Sequence, residues 1–176
     1  TKIHVWFGLR LIERGICSLS KDEFLARKTP TSDTWYFISK VSVHGFSYGL
    51  GHTKWAKYIA KETDGEIIVA NHVSKSIKEA LYEEIDSIPK WQQSVIAHLR
   101  QSPTKSMCTA FGRQRNFLER WGDDLFGEAF AFEPQSTVAD AVANCIINIA
   151  KAAPWINLLQ QNYDSMLGQC DTGRKD

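Results

Sequence analysis

The chain shows no excess of either charge. Its 21 lysines and arginines stand against 20 aspartates and glutamates, a formal net charge of +1. A domain that holds nucleic acid through its overall charge is strongly basic, so a nucleic-acid surface here has to be a local patch. Cysteine is sparse: Cys17, Cys108, Cys145 and Cys170 lie far apart and form no Cys-x-x-Cys pair. That speaks against a zinc site and a disulfide framework, and it fits a reducing compartment. No apolar run approaches the roughly 18 residues expected of a membrane span. No signal-peptide pattern, internal repeat or low-complexity stretch is visible. What is there is ordinary for a soluble globular chain: 176 residues, 43% hydrophobic and 23% charged, enough for a real core.

Periodicity predicts a helix-rich α+β chain. Residues 2–14 carry Ile3, Trp6, Phe7, Arg10 and Leu11 at helical spacing and stop at Gly15. Residues 21–27 form a short helix capped by Ser20, with Glu23 three positions on. A helix capped by Ser32 or Asp33 runs to about Tyr48, followed by helices over 53–63, from Ser74 to about Ile85, and from near Pro89 to Arg100. Met107–Phe111 and Gln114–Leu118 read as a hairpin around Gly112-Arg113. Residues 123–132 read as helix, and Pro134 opens a separate long apolar helix through Ala153. Trp155–Gln161 and Ser165–Gln169 read as strands around Asn162-Tyr163-Asp164. The expected division is a helical region over 1–103 and a second region over 104–176, with the long helix at 134–153 and the hairpin at 155–170. The chain starts at Thr1 within a helix-like stretch, which leads us to expect a part of something larger.

Four segments carry candidate chemistry, and each has a plain reading beside the functional one. Lys40, His44 and Tyr48 recur at i, i+4 and i+8 before Gly49 and Gly51, so they share one helix face. A cation can meet phosphate and the rings can meet sugar and base; the plain reading is a half-buried helix with a lysine at its rim. In Thr109-Ala110-Phe111-Gly112-Arg113-Gln114-Arg115, alternation puts both guanidiniums on one side of an extended strand, where they suit phosphates. Two solvated arginines are the alternative. Pro134-Gln135-Ser136-Thr137 reads as a helix start whose first-turn amides favour an anion, with Gln135 able to reach base edges; the alternative is an ordinary cap. Asp164 at a hairpin tip is rigidly supported yet exposed, the way a carboxylate is offered to magnesium, or it is simply a turn residue.

In this order the segments resemble the polymerase region of family A DNA polymerases, the group of bacterial polymerase I and many phage replicases. Ile3-His4 resembles the segment that follows the family's first catalytic motif. Lys40 to Gly49 resembles its nucleotide-binding fingers helix, with the His-Gly before Tyr-Gly of phage-type members. Thr109 to Arg115 resembles its Thr-x-x-Gly-Arg-x-Arg segment. Pro134 to Asp140 resembles the stretch ahead of its long palm helix, and Gln161 to Leu167 its motif C. The resemblance implies fingers helices joined to part of a palm. Lys40 would contact nucleotide phosphates, His44 would lie beside the sugar, and Tyr48 would sit where the templating base enters. Arg113, Arg115 and Gln135 would touch DNA. Asp164 would be the catalytic residue and bind Mg2+ for two-metal transfer of a deoxynucleotide to a primer 3′ end. Primer-template DNA and deoxynucleoside triphosphates would be the partners, with no membrane, in the cytoplasm of a bacterial or phage-infected cell.

The departures are informative. Tyr36 stands where the family has an arginine, Tyr163 where it has a histidine, and Ser165 where it often has an acid. The aspartate-bearing motif A precedes the Ile-His segment in the family and has no counterpart here; Asp22 and Asp33 come too late. One aspartate cannot hold two close divalent cations against their repulsion. The chain alone is therefore expected to be inactive and to need an N-terminal polymerase portion carrying motif A. The alternative is a catalytically inactive nucleic-acid-binding or structural module derived from a polymerase.

Overall fold

The computed structural model describes residues 2–171 and 173. It is predominantly helical, with two small antiparallel sheets: α1 (Ile3–Glu13), α2 (Lys21–Ala26), α3 (Pro30–Ser47), α4 (His52–Glu62), α5 (Asn71–Glu84), α6 (Ser87–Gln101), β1 (Ser106–Cys108), β2 (Gln114–Asn116), α7 (Asp123–Ala152), β3 (Asn157–Asn162) and β4 (Ser165–Gln169). An α+β, mainly helical chain is thus what the residues form. No helix among the described residues is long and apolar enough to cross a membrane. The four cysteines are free thiols.

The chain divides into two compact units: residues 1–97 with 120–130, and residues 98–119 with 131–176. The chain leaves the first unit after residue 97, returns to it at residue 120 and leaves it again after residue 130.

The first unit is built around Phe7, Leu11, Ile38, Val43, Phe46, Trp55, Ile59, Ile77 and Leu81, all buried. Each lies on the apolar stripe of its helix, and hiding those stripes from water is what assembles α1, α3, α4 and α5. Gly8 lets α1 approach α2, because a Cβ there would fall 2.1 Å from the Phe24 ring. The capping box of Ser20 and Glu23 forms as expected. For α3 the cap is Thr29, not Ser32 or Asp33: the Thr29 hydroxyl accepts from the Ser32 amide, and Pro30 occupies the first helical position. A proline is pre-shaped for that position because its missing N–H is one that no helix uses. Likewise α5 starts at Asn71 rather than Ser74.

Three helices end in the same way. Gly15 after α1, Gly49 after α3 and Asp64-Gly65 after α4 take left-handed backbone, with φ of 70°, 80°, 47° and 85°. The amides that follow fold back onto the last turn: Ile16 on Leu11, Leu50 on Gly45 and Gly65 on Ala60, at 2.9, 2.9 and 2.7 Å. The end of α3 is held from a second side. The Gln92 side-chain amide donates to the carbonyls of Phe46 and Ser47 at 2.8 and 2.9 Å, and the Tyr82 hydroxyl donates to Phe46 at 3.2 Å.

The second unit has few buried side chains. Leu99, Met107, Phe117 and Phe132 are covered, and Phe117 meets Phe132 edge to face at 5.9 Å. β1 pairs with β2 in the register Met107↔Arg115, and β3 with β4 in the register Asn162↔Ser165, with Leu159 bulged out. The long helix corrects the sequence reading: α7 starts at Asp123 and runs unbroken to Ala152, with Pro134 inside it. A proline costs an interior helix one backbone bond, and the apolar periodicity on both sides of Pro134 carries the helix through.

Candidate functional site

The geometry that stands out lies in the first unit. Lys40, His44 and Tyr48, one helical turn apart on α3, line one cavity of about 330 Å³ together with Val41, Gly45, Leu50 and Tyr58. Lys40 and His44 are exposed, and no carboxylate pairs with either among the described residues. Val41 and Leu50 give the cavity apolar wall, while Tyr48 and Tyr58 give it rings. Gly45 keeps the wall low: a Cβ there would already press on Trp55 and Leu50 at 3.2 and 3.3 Å. Tyr58 escaped sequence reading. Its signal was its place on α4, one step off the buried Trp55 and Ile59 stripe, which leaves it at the margin of the core.

Next to this cavity on α3, position 36 has its own surroundings. The Tyr36 hydroxyl lies 2.8 Å from His4 Nε2, and the two rings meet edge to face at 5.0 Å. The Arg27 guanidinium lies 3.8 Å from the Tyr36 ring centroid. Burial holds the His4 imidazole below its ordinary range, helped by the positive charges of Lys2, Lys40, His44 and Arg27. Nothing local in the sequence joins either His4 or Arg27 to position 36; their meeting depends on how α1, α2 and α3 pack.

The other candidate residues fall in the second unit, and most are engaged within the chain. Arg113 donates through Nε to Asp140 at 2.9 Å, and the Thr109 hydroxyl donates to the same carboxylate at 3.4 Å. Arg113 thereby holds the Asp140 carboxyl below its usual range. Arg113 precedes β2 rather than lying in it, across the turn that Gly112 makes at φ 84°. Arg115 lies over the Phe117 ring at 4.9 Å and 3.9 Å from Glu119. Gln135 is exposed in the body of α7. Since the helix does not begin at Pro134, there are no first-turn amides beside Gln135, Ser136 and Thr137, and the anion-binding argument for that stretch falls.

Asp164 sits, exposed, in the two-residue turn between β3 and β4. Its neighbour Tyr163 takes left-handed backbone, φ 49°, and Ser165 Oγ donates to the Asn162 carbonyl at 2.9 Å. Among the described residues no group of three or more His, Cys, Asp or Glu side chains gathers as a metal site.

No known family model matches the chain, and no curated protein matches it.

Proposed function

We propose that the chain is the nucleotide-handling part of a DNA-directed DNA polymerase of the family A type. In this reading the first unit contributes the fingers, with α3 as the nucleotide helix, and the second unit contributes part of the palm. The observation that carries it is that Lys40, His44 and Tyr48, picked out by spacing alone, line one cavity with Tyr58. A cavity of this size is in the usual range for small ligands, from about 300 Å³ upward. Lys40 offers a positive charge to phosphate. The Tyr48 and Tyr58 rings offer flat surfaces to a base or sugar. The reaction served is attack of a primer 3′ oxygen on the α-phosphorus of a deoxynucleoside triphosphate, with pyrophosphate leaving.

Magnesium is the cation this reading implies, and the described residues do not by themselves make its site. Asp164 supplies one carboxylate, and a hard divalent cation takes several oxygen ligands. Asp164 is assigned as a single ligand, and catalysis needs at least one further carboxylate. That same observation favours the second reading, a nucleotide- or nucleic-acid-binding module without catalysis. Arg113, Arg115 and Gln135 are assigned to primer-template DNA; Arg113 would have to exchange Asp140 for phosphate.

Calorimetry with dATP on the full chain tests the reading. Lys40→Ala is expected to weaken dATP binding about tenfold, the worth of one charge-assisted contact, and to leave affinity for primer-template DNA unchanged. No dATP binding by the native chain, or equal loss for both ligands, overturns it. Nucleotide binding without incorporation, even when a motif A-bearing polymerase segment is supplied, selects the second reading.

A further inference from the structure

Cationic side chains from three elements converge around Tyr36. Arg27 caps the C-terminus of α2 in left-handed backbone, φ 50°, a place where glycine is favoured. Its guanidinium carbon sits over Tyr36, 3.8 Å from the ring centroid. Its Nε donates to Asp33 at 2.8 Å, and its two terminal amino groups have no partner among the described residues. The side chain is 47% exposed. Tyr36 is pinned from its other end by His4. Lys40 follows Tyr36 by one helical turn, on the same face. Besides its burial, the His4 ring feels the positive charges of Lys2, Lys40, His44 and Arg27. Asp33 is the one acidic side chain hydrogen-bonded to the group among the described residues. Positive charge gathered this way repels itself, and a multivalent anion relieves the repulsion.

We infer that Arg27, seated on the Tyr36 ring, grips the outer phosphate of an oligophosphate whose inner end Lys40 holds. The inner end rests on the nucleotide reading of the α3 cavity; the outer end does not. A guanidinium presents two parallel donors that match phosphate oxygens, and stacking on a ring fixes the fork before the ligand arrives. Arginine in left-handed backbone costs more than glycine would, and a ligand contact gives that cost a purpose.

Calorimetry of the full chain with sodium tripolyphosphate and, separately, with dATP decides the matter. Arg27→Gly suits the φ of 50°, so its melting temperature is expected to stay level or rise while tripolyphosphate binding weakens about tenfold. Arg27→Lys, which keeps charge without the fork, should fall between. Unchanged tripolyphosphate affinity in Arg27→Gly overturns the inference whatever dATP does, and so does a native chain that ignores tripolyphosphate. If Arg27→Gly loses tripolyphosphate but dATP binds no tighter than tripolyphosphate, Arg27 keeps its role and the nucleoside reading falls.

Discussion

In the unit of residues 1–97 and 120–130, helices hide continuous apolar stripes from water, and the candidate cavity is cut into the margin of that core. The unit of residues 98–119 and 131–176 is held differently. Backbone pairing joins its strands, Arg113 pins the β1–β2 turn to Asp140, and Leu118, Trp155, Leu159, Tyr163 and Leu167 remain exposed. A two-stranded hairpin without a covered face is marginal in water. Burial therefore fixes the helix that carries the residues proposed to hold the nucleotide, whereas Asp164 rides on a hairpin most of whose side chains are exposed. The lesson is that the same kind of turn-and-helix signal in sequence can end in a stiff site or a lightly supported one, depending on what lies beneath it.

The hardest way to break this contrast is at Trp55, fully buried and tilted against Phe46 with the ring centroids 5.2 Å apart. Trp55→Ala should cost roughly 3–5 kcal/mol in urea unfolding and abolish dATP binding, while the β3–β4 amide exchange rates stay as they were. Trp55→Phe should restore most of the loss, since the indole N–H makes no hydrogen bond among the described residues. A smaller effect is expected at Gln92. Gln92→Leu leaves the Ser47 carbonyl without its partner and should cost about 1–3 kcal/mol, read by the same unfolding and by faster exchange at the end of α3. Equal destabilisation of both units by either change would erase the contrast.

The smallest effect concerns acid. The Glu84 carboxyl is held below its ordinary range, first by its hydrogen bond from Arg14 and then by Arg10. A carboxyl so lowered stabilises the fold above its unfolded value of about 4.3 and loses that stabilisation as pH falls through the folded value. Glu84→Gln should therefore melt lower than the native chain at pH 7, with the gap closing below about pH 4. A gap that stays constant with pH would show that Glu84 matters for packing rather than charge.

Sequence was a good guide wherever a single segment contains its own cause. Ser20 and Glu23 close a capping box by themselves, Gly49 supplies the left-handed turn out of α3, and Asn162 to Ser165 turn by themselves. It misled at Pro134, because the rule that proline punctuates a helix is local. The apolar periodicity on both sides that carries α7 through it belongs to a longer span. Thr29-Pro30-Thr31-Ser32 has the composition of a loop, yet Pro30 is a first helical residue and Thr29 its cap. At the site, helical spacing was enough to align Lys40, His44 and Tyr48. It could not reveal that Tyr58 comes to them from α4, or that Arg27 comes to Tyr36 from the end of α2, since those meetings depend on how helices pack. Arg113 was legible as a cation and not as the partner of Asp140, for the same reason.

The double hold on the end of α3 carries a thermodynamic consequence. Gly49 folds the chain back while Gln92 and Tyr82 take up the last carbonyls, so Tyr48 and Leu50 are set in place before any ligand arrives. Preorganisation of this sort removes the ordering entropy that a loose loop would subtract from affinity, about 0.5–1.5 kcal/mol per immobilised side chain. A ligand entering this cavity is met by a shape already formed.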